Sequence, residues 1–305
     1  MLNFYYLSPN GAKVDFRTPT IFSDPAWMRK YRWDVAIDNG VISSISRKSE
    51  TWDLDVFFIG ENMSRCAVTR NNAYEVFDRD VMSGTPGRIY VGEYYLECFV
   101  QGMENPEASV DLSKIHSKLS IVAAECKWVK DVKMSFAVRG EGQAEDGGYD
   151  YPYDYDYDYA SSGERMTINN QSFAASDFII TIYGACVNPT IYVGEHAYSV
   201  NGTLSDTEIL VIDSRTKTIE KVAQDRSSVS WFGKRNKTVS VFEPIPSGVS
   251  TLGYGAFAWD IVLLDERSEP PFETIASELD DVPNGAVVLS DGEYLVVDGG
   301  YVCVM

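Results

Sequence analysis

The pentapeptide Ile-Tyr-Val-Gly-Glu occurs twice, at 89–93 and at 191–195, and each copy is followed by a second apolar and aromatic run. The first copy leads into Tyr94 to Val100, and the second leads into Tyr198 to Val200. Two runs of β-branched and aromatic residues around a Gly-Glu turn are the pattern of a β-hairpin. Two further hairpins are predicted around Asn39-Gly40 and Asp291-Gly292. The sequence therefore predicts an all-β fold with little helix.

The repeated pentapeptide has two interpretations. It would follow from a duplicated domain. It would also follow from hairpin chemistry alone, because few residues suit such a turn.

One segment, Arg65 to Met82, has the spacing of an α-helix. Apolar and aromatic side chains recur three and four residues apart and predict one apolar face, formed by Ala73, Tyr74, Phe77 and Val81. Asn62 or Ser64 is a suitable N-terminal cap, and Gly84 followed by Pro86 suits the end of the helix.

The chain is strongly acidic. Its 305 residues carry 45 acids and 26 bases, which gives a formal net charge of -19. Such a charge opposes nonspecific binding to nucleic acid or to an anionic membrane surface. No window approaches the length of a membrane span, and no signal-peptide pattern follows Met1, so we expect synthesis in a cytoplasm and no membrane span.

An acidic segment predicts the domain boundary. Residues 141–164 contain eight acids and no base. We therefore expect an N-terminal domain at 1–138, a connector at 139–166, a second β domain at 167–272, and a C-terminal β extension of unknown role at 273–305.

The connector contains a ladder in which tyrosine and aspartate alternate, from Tyr149 to Tyr159. Its acids would suit calcium, but the spacing of an EF-hand loop is absent. Its aromatic rings would suit sugar stacking. The interpretation we favour is an extended strap, in which the tyrosines lie against one surface and the aspartates face solvent.

The sequence contains no recognisable set of catalytic, cofactor-binding or metal-binding residues. His116 and His196 belong to no known catalytic pattern, and the chain has no GxSxG, P-loop or GxGxxG motif. We expect no enzyme activity and no cofactor. The cysteines form no CxxC pair and are interpreted as reduced core residues. They are Cys66, Cys98, Cys126, Cys186 and Cys303.

A succession of segments over roughly residues 25–270 resembles the distal tail proteins of long-tailed bacteriophages. The segments are Tyr74 to Asp80, Gly84 to Gly92, the Tyr/Asp ladder, Asp177-Phe-Ile-Ile-Thr-Ile-Tyr-Gly-Ala-Cys-Val-Asn-Pro-Thr-Ile191, Glu208 to Ser214, and Val241-Phe-Glu-Pro-Ile-Pro-Ser-Gly248. Their order and spacing carry the resemblance.

The resemblance implies a structural hub in the virion, at the tail tip. The N-terminal lobe would be the belt-type β domain that closes a homohexameric ring, and the second lobe a galectin-like β sandwich. The expected partners are other copies of the chain, the tail tube protein, and the tip, baseplate and receptor-binding proteins.

Two alternatives stay open at the level of sequence. A carbohydrate-binding module would use Trp231, Trp259 or the ladder tyrosines as its platform, although the residues around Trp231 and His196 lack the galectin sugar-binding set. A wall-degrading enzyme would use some pair of the abundant carboxylates.

Overall fold

The computed structural model describes residues 3–47, 49–105, 113–138 and 166–272, together with three short strands between 287 and 304. Over these residues the protein consists of antiparallel strands and a single α-helix. The all-β prediction is confirmed. The Tyr/Asp ladder and the turn Asp291-Gly292 lie outside the described residues.

The N-terminal half contributes ten strands. They are β1 (Phe4–Leu7), β2 (Lys13–Asp15), β3 (Ile21–Ser23), β4 (Asp34–Asp38), β5 (Val41–Ser46), β6 (Glu50–Ile59), β7 (Gly87–Val91), β8 (Tyr94–Glu104), β9 (Lys114–Ala123) and β10 (Trp128–Phe136). A short 3-10 helix, Pro25–Met28, follows β3.

The α-helix, α1, spans Met63–Ser83 and so begins two residues before the predicted start. The Asn62 side chain accepts a hydrogen bond from the Arg65 amide at one end, and Gly84 adopts a left-handed conformation at the other. The helix packs on β6, β8 and β9.

The predicted apolar face of α1 is only half right. Ala73 and Phe77 are buried, but Tyr74 and Val81 are 44% and 43% exposed. The stripe that meets the sheet also contains Cys66 and Asp80. Tyr74 and Val81 each follow a buried position by one residue, which turns them about 100° away from the sheet.

The second half contributes eleven strands and a 3-10 helix, Phe232–Lys234. The strands are β11 (Thr167–Asn170), β12 (Asp177–Tyr183), β13 (Cys186–Val187), β14 (Thr190–Val193), β15 (His196–Ser199), β16 (Thr203–Leu204), β17 (Ile209–Asp213), β18 (Thr218–Val222), β19 (Ser228–Ser230), β20 (Gly248–Tyr254) and β21 (Trp259–Arg267).

One 13-stranded sheet runs through both halves, in the order β19-β18-β17-β12-β21-β10-β8-β7-β1-β2, with β9, β6 and β3 branching from β8. Strands β10 and β21 join the halves along nine residue pairs, from Trp128 opposite Arg267 to Phe136 opposite Trp259. A separate four-stranded sheet, β11-β20-β14-β15, completes the second half.

Two large hydrophobic cores and one small cluster lie along the described part of this shared sheet. The first is centred on Trp52, Phe58 and Trp128, and the second on Phe178, Tyr198 and Trp259. Strand β10 contributes to both, because Trp128 packs in the first core while its later residues pack against the second. The domain boundaries placed at residues 138, 166 and 272 remain predictions.

The hairpin turns lie where the glycine dipeptides predicted them. Asn39 and Gly40 both have positive φ, 50° and 80°, and connect β4 to β5. The two pentapeptide copies connect β7 to β8 and β14 to β15, and Gly92 and Gly194 have φ of 63° and 58°. Glycine adopts these conformations without a steric penalty.

The described residues of the C-terminal extension form a three-stranded meander. Its antiparallel strands are β22 (Val287–Val288), β23 (Tyr294–Asp298) and β24 (Tyr301–Val304).

Candidate assembly surface

The hairpin β4–β5 forms a two-stranded sheet of its own. Its strands pair with each other and, within the described part of the chain, with no other strand. Val35 lies opposite Ile45, and Ile37 lies opposite Ile42, with a bulge between these pairs. Residues directly opposite in an antiparallel pair share a face, and Val35 and Ile37 are two residues apart in β4, so these four apolar side chains lie on one face.

This apolar face is open to solvent. Val35, Ile37, Ile42 and Ile45 are 47–69% exposed, and Val41 beside the turn is 68% exposed. A lone two-stranded hairpin is at best marginally stable in water, and a contiguous exposed apolar surface usually marks an interaction site. The hairpin therefore has the properties of a subunit interface.

Aromatic residues extend the apolar surface at the base of the hairpin. Trp27, Tyr31 and Trp33 are each more than two-fifths exposed. The guanidinium of Arg47 stacks over the Trp33 ring, 4.6 Å from its centre, and lies 4.0 Å from a carboxylate oxygen of Glu266 in β21. The base of the hairpin is thus attached to the sheet that both halves share.

Arg29 holds the end of the second half beside this surface. Its guanidinium donates hydrogen bonds of 3.3 Å to the carbonyls of Pro270 and Pro271, and stacks over Phe272 at 4.1 Å. The last described residues of the second half, 270–272, therefore lie against the segment that leads into the hairpin.

A buried carboxylate joins the two halves. Asp265 in β21 accepts hydrogen bonds from Tyr94 of β8 at 2.5 Å, from Ser172 at 2.8 Å, and from Arg267 at 3.3 Å. Burial alone would raise the pKa of Asp265, but these hydrogen bonds and the Arg267 charge outweigh it and hold the pKa below its ordinary value.

The two histidines have structural contacts. His116 stacks on Phe57 and lies 2.8 Å from a carboxylate oxygen of Asp55. The His196 Nε2 atom is 2.7 Å from the Ser240 carbonyl oxygen. Among the residues whose placement is known, no group of three or more histidines, cysteines and acids is arranged to hold a metal.

The cysteines agree with the core interpretation at three positions. Cys66, Cys98 and Cys126 are buried, whereas Cys186 is half-buried, because it lies in the short strand β13 at the surface of the second half. The side chain of Cys303 lies outside the described residues.

The tryptophans proposed as a sugar platform do not present their rings to solvent. Trp259 is fully buried and Trp231 is 6% exposed. Both belong to the second core. A carbohydrate platform needs an open aromatic face, so these two residues do not provide the platform that the alternative carbohydrate-binding hypothesis requires.

The sequence predicted the β4–β5 hairpin but did not indicate that its apolar side chains are exposed. The signal that would have pointed to it is a concentration of large apolar residues in a short hairpin next to Trp27, Tyr31 and Trp33. Across the described ranges, no helix is both long and apolar enough to cross a membrane.

Solved structures share this fold at low sequence identity. A chain of the phage P2 baseplate in its activated conformation with Ca matches with a TM-score of 0.55 and 10% identity, over 88% of this chain and 100% of that one. A chain of the phage p2 baseplate in its activated conformation with Sr matches with a TM-score of 0.56 and 11% identity, over 88% of this chain and 100% of that one. The Dit protein of phage SPP1 matches with a TM-score of 0.49 and 10% identity, over 88% of this chain and 99% of that one.

No protein-family model matches the sequence, and no curated protein resembles it in sequence. The matches to the two p2 baseplate chains therefore concern the fold. The chain has the fold of a phage baseplate component, and the resemblance found in the sequence is confirmed at that level.

Proposed function

We propose that this protein is the distal tail protein of a long-tailed bacteriophage, a structural hub at the tail tip. Copies of the chain would close a homohexameric ring that joins the tail tube to the tip, baseplate and receptor-binding proteins. The role is assembly rather than catalysis. The protein would be synthesised in the host cytoplasm and function in the virion.

The observation that carries the proposal is the apolar face of β4–β5. An isolated hairpin that exposes Val35, Ile37, Ile42 and Ile45 gains stability when another surface covers it. In a homo-oligomer with cyclic symmetry, a head-to-tail contact of this kind closes a ring. The match to a baseplate chain over 88% of this chain supports the same role.

The proposal assigns separate tasks to the two halves. The half that carries α1 and β4–β5 would be the belt that forms the ring. The second half, which contains strands β11 to β21, would be the galectin-like sandwich that projects from the ring. The acidic surface, with a formal net charge of -19, suits contacts with proteins rather than with nucleic acid.

Oligomer mass tests the proposal. Native mass spectrometry of the full chain should give a mass of six copies. The variant Ile37→Thr/Ile42→Thr keeps β-branched side chains but removes apolar surface from the exposed face, and we expect it to shift the population to monomer.

The matched control is Val187→Thr/Val249→Thr. Both valines are about as exposed as the hairpin isoleucines but lie in the other half of the molecule. This variant should remain hexameric. A wild-type chain that stays monomeric at high concentration would refute the ring. If the hairpin variant is still hexameric, the hairpin is not part of the ring interface.

A further inference from the structure

A groove of about 460 Å³ on the second half is basic although the chain is acidic. Its lining includes Lys217, Arg235, Lys237, Phe232 and Phe242, and it contains no acid. Apart from Lys217, its lining residues belong to the stretch 226–242, which contains four bases and no acid. Local charge here is opposite to that of the protein as a whole.

The cations of the groove have no acidic partner in the described part of the chain. Lys217, Arg235 and Lys237 form no ion pair there. Arg235 instead donates to the Phe232 carbonyl at 2.7 Å and lies over the Phe232 ring at 3.9 Å. The half-buried guanidinium of Arg235 has no carboxylate partner among the described residues and remains available to one.

The floor of the groove is aromatic. The rings of Phe232 and Phe242 are stacked with their centres 6.0 Å apart, and Phe232 is 42% exposed. Aromatic rings and cations side by side suit a ligand that carries both aromatic rings and carboxylates. An extended peptide in which tyrosine and aspartate alternate has this chemistry.

We propose that the Tyr/Asp ladder of the same chain, residues 149–159, docks in this groove. Its tyrosine rings would pack on Phe232 and Phe242, and its aspartates would pair with the cations that line the groove. The ladder offers Asp150, Asp154, Asp156 and Asp158 and no base. The proposal does not depend on ring formation.

The length of the connector allows this contact. Met166 accepts a hydrogen bond from Leu252, Leu252 pairs with Val193, Val193 pairs with His196, and His196 contacts Ser240 at the edge of the groove. Three strand spacings of about 5 Å and one side-chain contact limit the distance from Met166 to the edge of the groove to roughly 25 Å. Tyr159 precedes Met166 by seven residues, which span up to about 25 Å when extended.

Photo-crosslinking in the full chain tests the docking. A photoreactive p-benzoylphenylalanine replaces Tyr155, and the crosslinked peptides are mapped by mass spectrometry after irradiation. We expect crosslinks to Lys217 or to residues 232–242, in a product with the mass of one chain on a denaturing gel.

A charge-reversed groove provides the comparison. In Arg235→Glu/Lys237→Glu the crosslink yield should fall at least fivefold. The control Arg79→Glu/Lys133→Glu changes the net charge equally, at two exposed positions away from the groove, and should retain the yield. Circular dichroism melts establish that each variant is folded.

Three outcomes would overturn the proposal. Crosslinks that map outside Lys217 and residues 232–242 would place the ladder elsewhere. An equal loss of yield in both charge variants would indicate a general charge effect. A product with the mass of two chains would make a second copy, rather than the same chain, the occupant of the groove.

Discussion

Tyr6 donates a hydrogen bond of 2.8 Å to the carboxylate of Asp80, and both residues are buried. Ser8 donates a second hydrogen bond of 2.6 Å to the other carboxylate oxygen. Asp80 lies in the last turn of α1, and Tyr6 lies in β1, so these bonds attach the helix to the large sheet beside its edge strand β2. Burial, and then the bond to Asp80, raises the pKa of Tyr6 far above its ordinary value, so the hydroxyl remains a donor at any physiological pH.

The variant Tyr6→Phe should lower the free energy of unfolding by about 1–3 kcal/mol, because a buried carboxylate loses one of its donors. Urea denaturation monitored by circular dichroism measures this change. Tyr74→Phe is the matched control, since Tyr74 bonds to Asp78 of the same helix but at the surface. The control should change the free energy of unfolding by less than about 0.5 kcal/mol. Equal effects of the two variants would contradict the role given to the buried bond.

Asp265 should make the stability of the contact between the two halves depend on pH in the acidic range. Its folded pKa lies below its ordinary value, so its contribution to stability is complete above about pH 4 and is lost as the pH falls through the folded pKa. Asp265→Asn should destabilise the protein most near pH 7, and the difference from wild type should shrink below pH 4. Urea denaturation from pH 3 to pH 7 measures both curves.

The control for Asp265 is Asp53→Asn. Asp53 is an exposed carboxylate that pairs with Lys118, and such pairs contribute little to stability. This variant should follow the wild-type curve closely across the pH range. A difference between wild type and Asp265→Asn that stays constant from pH 3 to pH 7 would show that Asp265 acts through packing rather than charge.

Local chemistry explains what the sequence predicted well. The hairpin turn at Asn39-Gly40 requires two residues that tolerate positive φ, and the dipeptide provides them. The ends of α1 follow from Asn62 and Gly84, which are suited to caps. These features depend on a few adjacent residues and therefore need no knowledge of the rest of the fold.

The features that sequence reasoning missed depend on distant parts of the chain. Strands β10 and β21 pair across more than a hundred residues, and no local pattern specifies that partner. Alternation along β4 predicts an apolar face, but it does not say whether the same chain covers that face. Trp231 and Trp259 would suit either a sugar platform or a core, and the packing of the second core decides for the core.

The cysteines should differ in reactivity with a thiol reagent. Burial raises the pKa of Cys98 to about 12 and that of Cys126 to about 11. Because the thiolate is the reactive form, these thiols should react slowly in the native protein at pH 8. In a Cys303→Ser background, Cys186 should be labelled at least tenfold faster than the buried cysteines, as measured by peptide mass spectrometry. Equal labelling of Cys98 and Cys186 in folded protein would contradict the core position of Cys98.

The contact of Arg29 with the last residues of the second half should limit access to the chain after Phe272. Arg29→Ala removes two hydrogen bonds and a cation-π contact, which together contribute about 1–2 kcal/mol at a partly exposed site. If cleavage requires local opening, chymotrypsin should cut after Phe272 roughly 5–30 times faster in this variant. Gel analysis of the released C-terminal fragment measures the rate.

Two further variants separate the geometry of this contact from its charge. Arg29→Lys keeps the positive charge but cannot bond two carbonyls and stack on a ring at once, so cleavage should remain faster than in wild type. Arg17→Ala removes another guanidinium that lies over a phenylalanine, Phe22, and should leave the cleavage rate unchanged because Arg17 does not touch residues 270–272. Full protection in Arg29→Lys would mean that charge alone holds the segment, and the fork geometry of Arg29 would then have no role.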